Sequence, residues 1–156
     1  MPEIEGTLEG RGLRVGVGVA AFNAFVTEGL LQGALATLAA AGVEDPVVLR
    51  VSGSFELPVA AAGLVAAGCD AVVALGAVIK GETDHYEHVA TQAISGLQQV
   101  AVQTGVPVAL GVLTARKAEQ ARERSLPGPG NKGAEAAEAA VRAADALRRL
   151  RGLPGA

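Results

Sequence analysis

Residues 71–85 read AVVALGAVIKGETDH. Nine apolar or small residues, Ala71 to Ile79, run without polar alternation into a turn that carries glycine, charge and a histidine. An unbroken apolar run of strand length is the pattern of a strand buried on both faces, which places it in a parallel sheet covered by helices on each side. The flanks agree. Upstream, Glu56 to Ala67 reads as a helix, with Pro58 tolerable in its first turn and Gly68 at its end. Downstream, Asp84 to Thr104 reads as a helix closed by Gly105.

The same alternation continues outward. Arg14 to Ala20 is a first strand, Thr27 to Ala41 a helix capped by Gly42, and Val47 to Val51 a second strand. Beyond the central unit, Val106 to Leu113 is a fourth strand and Lys117 to Arg124 a short helix. Gly133 to Arg151 is a last, alanine-rich helix whose Arg148, Arg149 and Arg151 suit the negative end of its dipole. The expected fold is an α/β three-layer, doubly wound sandwich with a four-stranded parallel sheet, flavodoxin-like. With 156 residues, the chain fits one domain at about 150 residues per domain. Residues 1–10 fall outside the pattern; Ile4 to Leu8 could add an edge strand to its own sheet or to a neighbour's.

Composition narrows the function. The net charge of −3 supplies no basic face for nucleic acid. No apolar run reaches the roughly 18 residues of a membrane span. The acidic start, Met1-Pro2-Glu3-Ile4-Glu5, lacks the basic and apolar regions of a signal peptide, so a cytoplasmic location is expected. A single cysteine, Cys69, rules out an internal disulfide and a Cys-based zinc site, and it reads as a small buried hydrophobe. Only 19% of the residues are charged, little for the outside of a small monomer, which points to an oligomer that covers part of its surface.

In open α/β sheets, ligands bind beyond the carboxyl ends of the strands. The four exits are Ala21-Phe22-Asn23, Ser52 to Glu56, Lys80 to Tyr86 and Thr114 to Lys117. Three of the chain's four aromatics, Phe22, Phe55 and Tyr86, lie on them, as do Glu56 and His85. Gly81-Glu82-Thr83-Asp84-His85 follows a strand and opens a long helix, where free backbone N–H groups and the positive helix end suit phosphate. Imidazole exchanges protons near neutral pH, so a histidine there can act as acid or base. The plainer reading is a capped helix start, with Asp84 as cap and Glu87 completing the box.

The remaining features have both readings too. Phe22-Asn23 could stack on and hydrogen-bond a planar ring, or simply cover the sheet end. Glu56 could accept from a polyol, or sit where the helix dipole favours it. Arg124, Asn131 and Lys132 flank the turn-rich Leu126-Pro127-Gly128-Pro129-Gly130, where the guanidinium and the ammonium could hold phosphate or the segment could be a solvated loop. His85 and His88, three apart, invite a metal, but no other histidine exists to complete the ligand set, and no metal is expected. His88 reads instead as a surface or interface residue. Gly16-Val17-Gly18-Val19-Ala20-Ala21 matches the dinucleotide fingerprint nominally, but its glycines fall inside the strand, where small residues serve close packing.

Taken together, these residues resemble the lumazine synthase family. The resemblance covers nearly the whole chain. It rests on Phe22-Asn23, Gly53-Ser54-Phe55-Glu56-Leu57-Pro58, Gly76 with Val78-Ile79-Lys80-Gly81-Glu82-Thr83 and His85, Gly111-Val112-Leu113-Thr114, Glu119-Gln120-Ala121, and Asn131-Lys132-Gly133 followed by Glu135-Ala136-Ala137. It implies condensation of 5-amino-6-(D-ribitylamino)uracil with 3,4-dihydroxy-2-butanone 4-phosphate to 6,7-dimethyl-8-ribityllumazine, the penultimate step of riboflavin synthesis. No metal or organic cofactor is implied.

By the resemblance, Phe22 stacks on the pyrimidine, with Asn23 beside it. Ser54, Phe55 and Glu56 bind the ribityl-pyrimidine. The backbone of Ala77, Val78 and Ile79 meets the ring edge, and Leu110 walls it. Gly81, Glu82 and Thr83 sit at the phosphate of the second substrate with Arg124 and Lys132, and His85 matches the proton donor and acceptor. Leu110 stands where the family often has Phe, Ala21 for Arg, Ser52 and Asp84 for Pro, and Tyr86 for Phe. The resemblance further implies pentamers, with each site between two subunits: Phe22, Glu56 and His85 would face a neighbour's Leu110, Arg124 and Lys132. Some members close twelve pentamers into an icosahedral shell. Riboflavin synthase is the implied candidate partner for the product. Two other classes stay open: a lumazine or flavin carrier, and a shell protein whose assembly is its function. His85 and Arg124 speak against both, because neither needs a proton shuttle or a phosphate site.

Overall fold

The computed structural model describes residues 1–155. Its elements run β1 (Val15–Ala20), α1 (Ala24–Ala40), β2 (Val47–Val51), a 3₁₀ turn (Ser54–Glu56), α2 (Leu57–Ala66), β3 (Ala71–Ile79), α3 (His85–Thr104), β4 (Val108–Ala115), α4 (Ala118–Glu123) and α5 (Lys132–Arg151). The four strands are all parallel, in the order β2-β1-β3-β4. The expected α/β doubly wound sandwich is therefore the fold. Its chain order reverses between β1 and β3, the switch point where such sheets bind ligands.

β3 shows why an unbroken apolar run was required. Val73 and Leu75 point into one core with Leu30, Leu38 and Val141 of α1 and α5. Val72 and Ala74 point into the other, with Leu57, Leu64 and Leu97 of α2 and α3. Alternate residues serve opposite faces, and both faces are buried. Gly16 on β1 has a similar logic. A Cβ there would come within 2.9 Å of Leu64 Cδ2 and 3.0 Å of Cys69 Sγ. That glycine lets a helix lie close on the sheet, and burial pushes the Cys69 thiol up from its ordinary range.

Several local expectations are corrected. β2 is the sheet edge: Val47, Val48 and Leu49 are more than a third exposed, not buried on both faces. α1 starts at Ala24 rather than Thr27, because Asn23 takes the left-handed conformation and its carbonyl accepts from the N–H groups of Val26 and Thr27. β4 starts at Val108 rather than Val106. Gly105, at φ 73, ends α3, and Val106-Pro107 carries the chain back before pairing begins at Val72↔Val108. Pairing continues to Ile79↔Ala115, so Thr114 lies within the strand rather than beyond it. Asp84 makes no side-chain cap on α3; the His85 N–H is instead 3.4 Å from Thr83 Oγ1.

Residues 1–10 form no strand. They lie along α5, held by Asp145, which is 1% exposed. Its carboxylate accepts from the N–H and hydroxyl of Thr7 and from Arg148 and Arg149, at 2.7–2.9 Å. Arg148 also donates to the carbonyls of Glu9 and Arg11. Burial alone would raise the Asp145 carboxyl, but the Arg148, Arg149 and Thr7 hydrogen bonds outweigh it and hold it well below the usual carboxylate range. A carboxyl lower in the folded than in the unfolded chain stabilises above the unfolded range, near pH 4, and that contribution is lost as pH falls below it. Asp145→Asn should therefore cost about 2 kcal/mol at neutral pH, reduced from a fully buried pair by the exposure of both arginines. Thermal melts should show the gap from the unaltered chain narrowing between about pH 5 and about pH 2. A gap independent of pH would show that the charge is not what holds the segment.

Candidate active site

Three strand exits meet around one cavity of about 740 Å³. From the end of β1 come Phe22 and Asn23. The Phe22 ring is 72% exposed, an unusual position for one of so few aromatics. Asn23 is pinned: its Nδ2 donates to the Ala77 carbonyl at 2.8 Å, joining the β1 exit to the end of β3. Its side chain therefore positions the exit, and the Ala77 carbonyl already has a donor.

After β2, the 3₁₀ turn brings Ser54, Phe55 and Glu56 to the cavity. Ser54 is buried above Gly76, where a Cβ would overlap the Ser54 hydroxyl and crowd Leu57. Gly76 thus makes the room that seats the turn. Phe55 is 60% exposed and Glu56 half-buried. The end of β3 contributes Ala77, Val78 and Ile79 to the wall, and the following turn contributes Gly81 and Thr83. His85, exposed in the first turn of α3, completes the rim.

Eleven of the fifteen expected site residues are accounted for by this cavity lining. Glu82, between Gly81 and Thr83, is exposed and outside the lining. Leu110, Arg124 and Lys132 also lie outside it. Leu110 stands 52% exposed on β4. Arg124, at the end of α4, donates from Nη1 to the Gln120 carbonyl at 2.9 Å. Lys132 opens α5, with Nζ 2.8 Å from Glu135 and its backbone N–H on the Arg124 carbonyl at 2.8 Å. The backbones of these two residues are thus joined in the fold. Asn131, between them, is buried and structural: it caps α5 by accepting from the Ala134 N–H, while its Nδ2 serves the carbonyls of Gly29, Ser125 and Leu126.

The lining also includes Ser52, Gly53 and Tyr86 of the strand exits, and three residues that the exits did not reach: His88, Val89 and Gln92. His85, His88, Val89 and Gln92 follow the i, i+3, i+4, i+7 spacing of one helix face, which is the signal that could have found them. Among the described residues no group of three or more His, Cys, Asp or Glu side chains is arranged to hold a metal ion.

An exposed ring, a carboxylate and an imidazole around one pocket at the switch point can stack a planar heterocycle, hold its polar substituents and move protons. Comparison with known proteins gives this arrangement a family. Residues 12–148 match the 6,7-dimethyl-8-ribityllumazine synthase family. The chain is 52% identical over 155 residues to the 6,7-dimethyl-8-ribityllumazine synthase of Kineococcus radiotolerans, covering 98% of this chain and 95% of that one. It is 50% identical over 153 residues to the enzyme of the same name from Anaeromyxobacter dehalogenans, covering 96% and 94%. With half its residues shared across nearly its full length, the chain belongs to the 6,7-dimethyl-8-ribityllumazine synthase family.

Proposed function

We infer that the chain catalyses the condensation of 5-amino-6-(D-ribitylamino)uracil with 3,4-dihydroxy-2-butanone 4-phosphate to 6,7-dimethyl-8-ribityllumazine, in riboflavin biosynthesis. The observation that carries this into the site is the cavity where Phe22, Glu56 and His85 meet. In the reaction the amine adds to the ketone, an imine forms with loss of water, phosphate leaves and the ring closes with loss of a second water. No step calls for a protein nucleophile; the work is positioning and proton transfer.

In this reading Phe22 stacks on the pyrimidine and the β3 end meets its edge. Glu56 accepts from ribityl hydroxyls, with Ser54 and Phe55 beside it. Gly81, Glu82 and Thr83 lie at the helix N-terminus that receives the phosphate, and His85 shuttles protons. Leu110, Arg124 and Lys132 complete the site from a neighbouring copy, because they are exposed or half-buried yet absent from this chain's own cavity. Apolar surface supports such a neighbour: Phe22, Phe25, Phe55, Val59, Val102 and Leu110 are each more than half exposed. The assembly is read as a pentamer of single-domain subunits, 1–156, in the cytoplasm, with closure into an icosahedral shell and delivery of product to riboflavin synthase as its further extensions. No helix among the described residues is long and apolar enough to cross a membrane.

The test follows lumazine formation by absorbance and fluorescence against a blank without protein. Turnover well above the blank supports the reading, while a rate equal to the blank with tight product binding would make the chain a carrier. Arg124→Ala should raise KM for the butanone phosphate about tenfold, the loss of one charge-assisted contact on an open surface, with KM for the pyrimidine little changed. An effect confined to the pyrimidine would contradict the phosphate role. Mixing Arg124→Ala with His85→Ala subunits, then dissociating and reassembling them, should restore part of the activity, because some sites would draw both intact residues from different copies.

A further inference from the structure

The α3 wall of the cavity has no role in the proposed chemistry. It carries His88, Val89 and Gln92 beyond His85. Seven residues separate His85 from Gln92, so this wall continues about 10 Å along the helix axis past the proton-transfer group. A pyrimidine ring held between Phe22 and the β3 end does not need that length, whereas an extended five-carbon side chain does. The 3₁₀ turn that carries Glu56 packs against α3, and both line the cavity, so a chain lying along Glu56 also runs beside α3.

The chemistry of the two walls differs. Each hydroxyl of a polyol both donates and accepts, while an ionised Glu56 only accepts. Hydroxyls facing acceptors alone would leave their own oxygens without donors, which is costly once water is excluded. The Gln92 amide supplies two N–H donors and the His88 ring at least one, both from exposed side chains free to turn into the cavity.

We propose that His88 and Gln92 form the donor wall of the polyol subsite and set the enzyme's selectivity for a hydroxylated side chain on the pyrimidine. This rests on the condensation proposed above and deepens it. Both residues contact substrate directly and take no part in proton transfer.

The experiment uses the intact protein and the double variant His88→Ala/Gln92→Ala, with steady-state kinetics on two pyrimidines: the ribityl substrate, and its analogue 5-amino-6-(pentylamino)uracil, which keeps the chain length and lacks the hydroxyls. The double variant should raise KM for the ribityl substrate about tenfold, the value of a hydrogen bond or two. KM for the butanone phosphate and kcat/KM for the pentyl analogue should stay unchanged. His88→Asn/Gln92→Asn, which keeps donors on the wall, should recover most of the loss. An unchanged KM for the ribityl substrate overturns the inference, and so does an equal loss on both pyrimidines, which would mean damage to the pocket as a whole. Turnover by the unaltered protein alongside either result leaves the proposed function standing; a rate no better than the blank overturns that function and this inference together.

Discussion

His85→Ala is expected to lower kcat by about 10- to 100-fold while the protein stays folded and assembled. General acid–base groups contribute about 10²–10⁴. The lower end applies here because His85 is exposed on the cavity rim, so water can take over part of the proton traffic. Several steps of the condensation move protons: the amine loses one, the carbinol must leave as water, and elimination of phosphate removes another from carbon. One imidazole in the first turn of α3, with Gly81 and Thr83 of the phosphate turn lining the same cavity, is positioned for these in sequence. The loss should fall on kcat and kcat/KM together, since a proton shuttle acts in the transition state rather than in binding. Replacement costs the fold nothing evident: the exposed side chain caps no helix and fills no core. Unchanged turnover would remove His85 from the mechanism, and a rise in KM alone would make it a binding residue.

The sheet and the strand exits were legible because of how parallel sheets are covered. A strand buried on both faces has no polar alternation, so Ala71–Ile79 could be bounded correctly from its apolar run alone. The same rule misled at Val47–Val51, whose bounds were right but whose side chains are exposed. An edge strand waiting for cover has the composition of a central one. β4 slipped by two residues because Val106 and Pro107 continue the apolar run, and only pairing with β3 shows where the ladder begins.

The site divided in a similar way. Residues at strand ends could be placed from the topology, which fixes their position whatever their rotation. The α3 wall could not be placed so easily, since membership of one helix face depends on how that helix sits over the 3₁₀ turn. Leu110 came from the family resemblance alone, Arg124 and Lys132 were legible only as cations beside a turn-rich loop, and nothing in this chain's own cavity would have recruited them. Asn131 was visible as a polar residue beside the glycine-rich loop, but its partners come from α1 and the loop, and only tertiary packing brings those together.

Asn131→Ala should be among the most damaging single changes outside the cavity. The side chain, 2% exposed, makes contacts at both ends: Oδ1 accepts from the Ala134 N–H at 3.0 Å, and Nδ2 reaches the carbonyls of Gly29, Ser125 and Leu126 at 3.0–3.1 Å. Gly33 on α1 exists for this contact, since a Cβ there would overlap the Asn131 amide. Alanine removes the cap, worth about 1 kcal/mol. It also strips donors from carbonyls that include a fully buried bond to Ser125, adding about 2 kcal/mol. A total near 3 kcal/mol lowers the melting temperature by about 6–12 °C for a domain of this size. Asn131→Ser keeps a good capping hydroxyl but not the amide, so it should recover only about the capping share. Function should follow stability, because Asn131 fixes the segment between Arg124 and Lys132. Loosening that segment should raise KM for the phosphorylated butanone and leave KM for the pyrimidine nearly unchanged. Full rescue by serine would reduce Asn131 to a helix cap. Partial rescue in stability with a persistent KM defect is the expected pattern, in which one buried amide both closes the fold and aims two cations.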